Sequence, residues 1–125
     1  MPKRLFSSAK NIYRDREQLI DKIRKCAQNL IEASPSVDKI ILFGSVARDD
    51  YSIYSDADLL IILKESQFSR FFDRIPEFLG YFSHSGIAVD LFPYTEAEIS
   101  RMRGNNKLIK RALAEGITLE ANLSG

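Results

Sequence analysis

The chain has 125 residues, 45% of them hydrophobic and 28% charged, the balance of one ordinary globular domain. A net charge of +1 excludes a general electrostatic pull toward nucleic acid or membrane, and the single cysteine, Cys26, excludes an internal disulfide. No run approaches the roughly 20 apolar residues of a membrane span, and the basic start "MPKRLFSSAKNIYRDRE" lacks the apolar centre of a secretory signal, so a cytoplasmic protein is expected.

Residues 1–14 read as an N-terminal arm. From residue 15 to 33, Leu19, Ile20, Ile23, Cys26, Ala27, Leu30 and Ile31 recur at helical spacing, and the helix stops before Ser34-Pro35. Cys26 falls on that stripe and is expected simply to pack. "VDKIILF" (37–43) reads as a buried strand ending at Gly44-Ser45. Residues 45–48 can open a short helix, and "DDYSIYS" is a loop. "ADLLIIL" (57–63) is apolar on both faces, as expected of a central strand. Phe68, Phe71, Phe72, Ile75, Phe78, Leu79 and Phe82 form a further helical stripe, kinked or restarted at Pro76, with its phenylalanines in the core rather than around a ligand.

"GIAVDLF" (86–92) reads as a third strand. Thr95 and Glu98 make a capping box for a helix that ends near Gly104. "NNKLIKRALAEG" (105–116) is a short helix closed by Gly116, and "ITLE" (117–120) alternates like an edge strand. Residues 121–125 are a tail. The expected fold is one α/β (α+β) domain over residues 15–120, a mixed β-sheet flanked by helices.

Asp56 and Asp58 stand two apart at the mouth of a strand, so their side chains share a face with backbones about 6.6 Å apart. Asp90 lies within another strand, where an unpaired carboxylate is expensive. If the two strands are neighbours, three carboxylates converge, repel, and need a cation. Hard oxygen ligands suit Mg²⁺, and two ions about 3.5–4 Å apart can be bridged by such carboxylates. The Gly44-Ser45 turn between a strand and a helix offers backbone N–H groups to an anion, and Arg48 shares that turn and could reach a terminal phosphate. A Gly-Ser turn or a Ser-Asp-x-Asp loop alone is commonplace. The joint order of strand, Gly-Ser, Asp-x-Asp, apolar strand and a further strand with Asp90 is what points to metal-dependent nucleotide binding.

"FGSVARDDYSIYSDADLLIIL" and "IAVDLFPYT" closely resemble the nucleotidyltransferase superfamily that includes DNA polymerase beta and kanamycin nucleotidyltransferase. With its ending "NNKLIKRALAEGITLE", the chain looks like a minimal nucleotidyltransferase of the kind encoded beside a HEPN-type toxin. The resemblance implies that Gly44 and Ser45 hold the triphosphate of ATP or another NTP. It implies that Asp56 and Asp58 bind metal and phosphates, and that Asp90 completes a second metal site and helps activate the acceptor hydroxyl. Two Mg²⁺ ions are implied, and Mn²⁺ suits the same ligands. Asp49 stands where the family commonly has Gly, adding negative charge near the proposed phosphates.

The elements consume nearly the whole chain, so the acceptor is expected on a partner protein; the resemblance implies a HEPN-like toxin whose hydroxyl would receive AMP, with this chain as its antitoxin. Two alternatives stay open. The domain could neutralise its partner by binding alone, with the acids as a nucleotide sensor, or it could modify a small molecule, with a homo-oligomer building the missing pocket. Direct nucleic-acid binding is not expected. His84 reads as a solvated turn residue, and Tyr51 and Tyr54 as loop residues rather than base-stacking platforms. Lys107, Lys110 and Arg111 read as a solvated face, with contact to phosphates or a partner as the alternative.

Overall fold

Ile20, Ile23, Ala27 and Leu30 recur along one side of helix α1 (Ser8–Ala33) and are all buried. A computed structural model describes the backbone of residues 8–48 and 56–122, with side chains from residue 16 onward. The helix starts earlier than the apolar stripe suggests, so residues 8–14 belong to α1 rather than to an arm. No Gly or Pro interrupts residues 8–33, and the Ala, Lys, Arg and Glu there favour a helix beyond its last core contact.

Four strands form one sheet in the order β3-β2-β1-β4. β1 (Val37–Phe43) pairs antiparallel with β2 (Ala57–Leu63), from Val37 opposite Leu63 to Phe43 opposite Asp58. β3 (Val89–Thr95) runs parallel to β2, and β4 (Ile117–Ala121) antiparallel to β1. The doubly apolar β1 and β2 are therefore the central strands, covered on both faces. On one face Ile40, Leu42, Leu59, Ile61 and Leu91 pack with the buried stripe of α1. On the other, Ile41, Phe43 and Leu60 pack with Ile99 of α4 (Glu96–Met102) and with Ile109 and Ala112 of α5 (Lys107–Glu115). The expected capping box is formed: Glu98 N–H donates to Thr95 Oγ1 at 3.2 Å, and Thr95 N–H to Glu98 Oε1 at 2.8 Å. Asn106 caps α5 by accepting from Ile109 N–H at 3.0 Å.

Two further expectations are corrected. The third strand begins at Val89 rather than residue 86 and runs on through Pro93 to Thr95. Ahead of it, Gly86 takes φ +86° and the buried Ser85 hydroxyl donates to Ile87 O at 2.8 Å, holding a bend; pairing with β2 starts where Ala57 N–H reaches Ala88 O at 2.9 Å. Pro93 is tolerated because β3 is an edge strand, where a missing N–H need not break a ladder bond.

The phenylalanine-rich stripe is not one kinked helix. It breaks into a 3₁₀ turn (Phe71–Arg74), a short α3 (Ile75–Leu79) and another 3₁₀ turn (Gly80–Phe82). Phe78 and Phe82 join the α1-side core, while Phe71 stacks on Phe92 and packs tilted against Tyr94 of the other face, with ring centroids 6.4 and 5.0 Å away. The segment crosses the β3 edge to serve both faces, which one straight helix does not do. Phe68 and Phe72 are exposed, so the core reading holds for only part of the stripe. Arg74, buried at 2% exposure, fastens the crossing: its guanidinium donates to Phe68 O at 2.7 and 3.0 Å, Pro93 O at 2.9 Å, and Glu98 at 2.7 and 3.0 Å. Among the described residues, no helix is long and apolar enough to cross a membrane.

Candidate active site

Sheet register builds the site. Phe43 of β1 lies opposite Asp58 of β2, and Asp58 lies opposite Asp90 of β3, so the three form one rung across the sheet. Alternation along β2 puts Asp58 on the face of Leu60 and Ile62, and alternation along β3 puts Asp90 on the face of Phe92 and Tyr94; this is the face covered by α4 and α5. Asp56, just ahead of β2, is exposed. The two strands are thus neighbours, as the convergence of carboxylates requires. Asp90 is itself exposed near the start of the edge strand, however, and not sealed in an apolar interior. Its place on the outermost strand is the reason.

The carboxylates feel one another. Burial holds the Asp58 carboxyl above its ordinary proton affinity, the charges of Asp90 and Asp56 push it further, and the Arg48 guanidinium pulls it back. Asp90 is also raised, first by desolvation, then by the charge of Asp56 and a hydrogen bond between those two side chains. Carboxylate oxygens are the hard donors that suit a divalent cation, whose charge would offset both the burial and the repulsion. Among the described residues, no group of three or more acidic, His or Cys side chains is already arranged to hold an ion. The donor chemistry fits a metal, while a finished coordination shell is not preformed.

Gly44 joins the turn to the rung. It has φ +80°, and a Cβ there would lie 3.2 Å from Asp58 Cγ and closer still to Asp58 Oδ2. Glycine is required twice over, for its backbone conformation and because the Asp58 carboxylate lies against its Cα. The chain then enters the single-turn helix α2 (Ser45–Arg48), closed by Arg48 N–H donating to Gly44 O at 3.0 Å. Arg48 is exposed; its Nη1 pairs with Glu115 Oε1 at 3.3 Å, and Glu115 also lies 3.9 Å from Arg111 Nε. Arg48 thus bridges the turn to α5 as well as reaching the field of Asp58.

Beside Asp58 opens a cavity of about 330 Å³, lined by Phe43, Asp58, Phe92, Lys107, Leu108 and Arg111. The Phe43 and Phe92 rings meet at 5.7 Å with their planes tilted by 53°. Lys107, Lys110 and Arg111 are all exposed, as a solvated face expects, and Lys107 and Arg111, one helical turn apart, also border the cavity. Cys26 packs in the core, and His84 is exposed in a turn. Asp49, Tyr51 and Tyr54 lie outside the described residues.

Sequence reasoning missed Arg16 of α1, whose Nε donates to Val46 O and whose Nη2 donates to Ala47 O, each at 3.0 Å. A signal was available: position 16 continues the stripe of Ile20, Ile23, Ala27 and Leu30, where an arginine is out of place unless it has a buried polar task.

The chain is similar in fold to two solved structures. One, from Sulfolobus solfataricus and provisionally named a nucleotidyltransferase, superposes with a TM-score of 0.68 at 19% identity over 96% of each chain. The other, a toxin–antitoxin complex with AMP-PNP, gives 0.57 at 20% identity over 83% of this chain and 74% of that one. A protein of Methanocaldococcus jannaschii, provisionally named a protein adenylyltransferase, is 40% identical over 48 residues, which span 38% of this chain and 46% of that relative. The nucleotidyltransferase domain family matches residues 20–118, from the middle of α1 through the acid-bearing strands into β4, and the chain belongs to that family.

Proposed function

We propose that the chain transfers NMP, with ATP as the default donor, onto a hydroxyl of a partner protein. We further propose that it does so in the cytoplasm as the antitoxin of a HEPN-type toxin. The observation that carries the chemistry is the rung of Asp58 and Asp90 with Gly44 pressed against Asp58. Family membership supports transfer, and the adenylyltransferase name of the short relative supports a protein acceptor. The fold likeness to a toxin–antitoxin complex with AMP-PNP supports both a nucleotide and a toxin partner.

In this reading the backbone N–H groups at Gly44 and Ser45 hold the triphosphate, and Arg48 reaches a terminal phosphate. Asp56, Asp58 and Asp90 would hold two Mg²⁺ ions, with Mn²⁺ as a substitute. The metal, when bound, supplies charge compensation on the phosphates and lowers the pKa of the attacking hydroxyl. Asp90 would help activate that hydroxyl by accepting its proton at the carboxylate. The hydroxyl oxygen attacks the α-phosphorus in line, and pyrophosphate leaves. The protein contributes position and charge rather than a covalent intermediate.

The test is transfer from labelled ATP to a co-expressed partner, read as a gain of one AMP by mass. Asp58→Asn and Asp90→Asn are each expected to abolish transfer with the fold intact by circular dichroism. Full transfer by both variants refutes the mechanism. Neutralisation of the partner with no added mass refutes transfer as the mode of action and leaves binding.

A further inference from the structure

We infer that Arg16 is a positioning residue for the nucleotide-binding turn, an inference that rests on the nucleotidyl-transfer reading above. The turn faces Asp58 with the N-terminal end of α2, a helix of four residues closed, among the described residues, by Arg48 N–H donating to Gly44 O. One turn is far below the length at which a helix holds itself, and its last carbonyls have no partner within it. Arg16, thirty positions upstream, supplies those partners. Its planar fork donates from Nε to Val46 O and from Nη2 to Ala47 O, both at 3.0 Å.

The consequence is mechanical. The Val46 side chain is fully buried and pins α2 to the sheet from below. The guanidinium fixes the opposite, carbonyl-bearing end, and its charge complements the negative end of the peptide dipoles. A one-turn helix held at its C-terminal end cannot tilt, so its N–H groups keep their aim beside the Asp58 carboxylate. Two consecutive carbonyls read by two nitrogens of one plane is a geometry that lysine, a single point donor, does not reproduce. The same pair of bonds ties α1 to the turn, so the longest helix and the nucleotide-binding backbone move as one body.

The test compares Arg16→Lys and Arg16→Met with Arg24→Lys, a control on the same helix whose arginine pairs with the exposed Asp21 at 3.3 Å. Hydrogen exchange of the segment 43–48 is followed without nucleotide. In Arg16→Met it is expected to accelerate by about tenfold, the equivalent of one charge-assisted hydrogen bond, with Arg16→Lys between that and wild type. Exchange in β2 stays unchanged. In transfer assays KM for the nucleotide rises by about tenfold in Arg16→Met while kcat stays within about twofold, because aim and not chemistry is altered. Arg24→Lys changes neither quantity.

Unchanged exchange at 43–48 in both Arg16 variants overturns the inference. So does acceleration shared equally by β2, which marks general destabilisation, and so does a fall in kcat at constant KM. The exchange measurement needs no turnover, so it judges Arg16 even if the transfer reading fails on the aspartate variants.

Discussion

Gly44→Ala separates two demands that the turn makes on one residue. An L-residue at φ +80° is in the left-handed region, at about 1–2 kcal/mol. The new methyl also meets the Asp58 carboxylate, whose Cγ would be 3.2 Å away and whose Oδ2 would be nearer. Turning that side chain off its rotamer adds about 0.5–1.5 kcal/mol. The sum is about 1.5–3.5 kcal/mol, or a fall in Tm of about 5–18 °C for a chain of this size. A double-mutant cycle with Asp58→Ala divides the sum. Truncation at 58 leaves only Cβ, 3.5 Å from the new methyl and in ordinary contact, so the collision vanishes while the backbone strain stays. Gly44→Ala in that background is expected to lose about 1 kcal/mol less than in wild type, a coupling well above the scatter for independent sites. Denaturant and thermal melts on the four proteins measure it. Additivity within about 0.5 kcal/mol, or a single-mutant loss below about 1 kcal/mol, refutes the contact between Gly44 and Asp58.

Asp58→Asn is expected to raise Tm in the presence of EDTA at pH 7. Burial and the neighbouring carboxylates hold its proton affinity above that of the unfolded chain, so the ionised form opposes folding there. The sign reverses for Glu98, whose carboxyl is lowered to about 2 by the Arg74 hydrogen bonds. Its contribution, about 2–3 kcal/mol after allowing for solvent screening, is present above pH about 4.5 and lost as pH falls through about 2. Glu98→Gln should flatten that limb of an acid-unfolding curve. Arg74→Met, which strands Glu98 and two carbonyls, should cost about 3–5 kcal/mol by denaturant melt. A non-hydrolysable ATP analogue with Mg²⁺ should raise the Tm of wild type, with about 2.7 kcal/mol expected at a hundredfold excess over Kd, and leave that of Asp58→Asn unmoved.

Local chemistry was readable where one short stretch decides the outcome. The apolar runs 37–43 and 57–63, the Thr95–Glu98 box and the Gly44 turn all sit where their residues demand. The legible part of the site was that Asp58 and Asp90 converge if their two strands are neighbours; the parallel register that aligns them belongs to the assembled sheet. What escaped depends on the sheet's finished edge. Nothing in "GIAVDLF" says that the buried Ser85 hydroxyl bends the chain and delays β3, and nothing in the phenylalanine spacing says that the segment must serve two faces. The exposure of Asp90 depends on which strand is outermost, a property of the whole sheet. Arg16 acts on backbone carbonyls, which carry no residue identity, so only its misfit within an apolar stripe gave it away.

The outer margin of β3 has a consequence for assembly. A sheet margin normally invites another copy to add a strand, since its unpaired amides and carbonyls form a ready template. Here Pro93 offers no amide, and its carbonyl is already taken by Arg74. The template is broken in its middle, so sheet-to-sheet polymerisation through this side is blocked. Replacing Pro93 and Arg74 together would open a sticky border next to the acids.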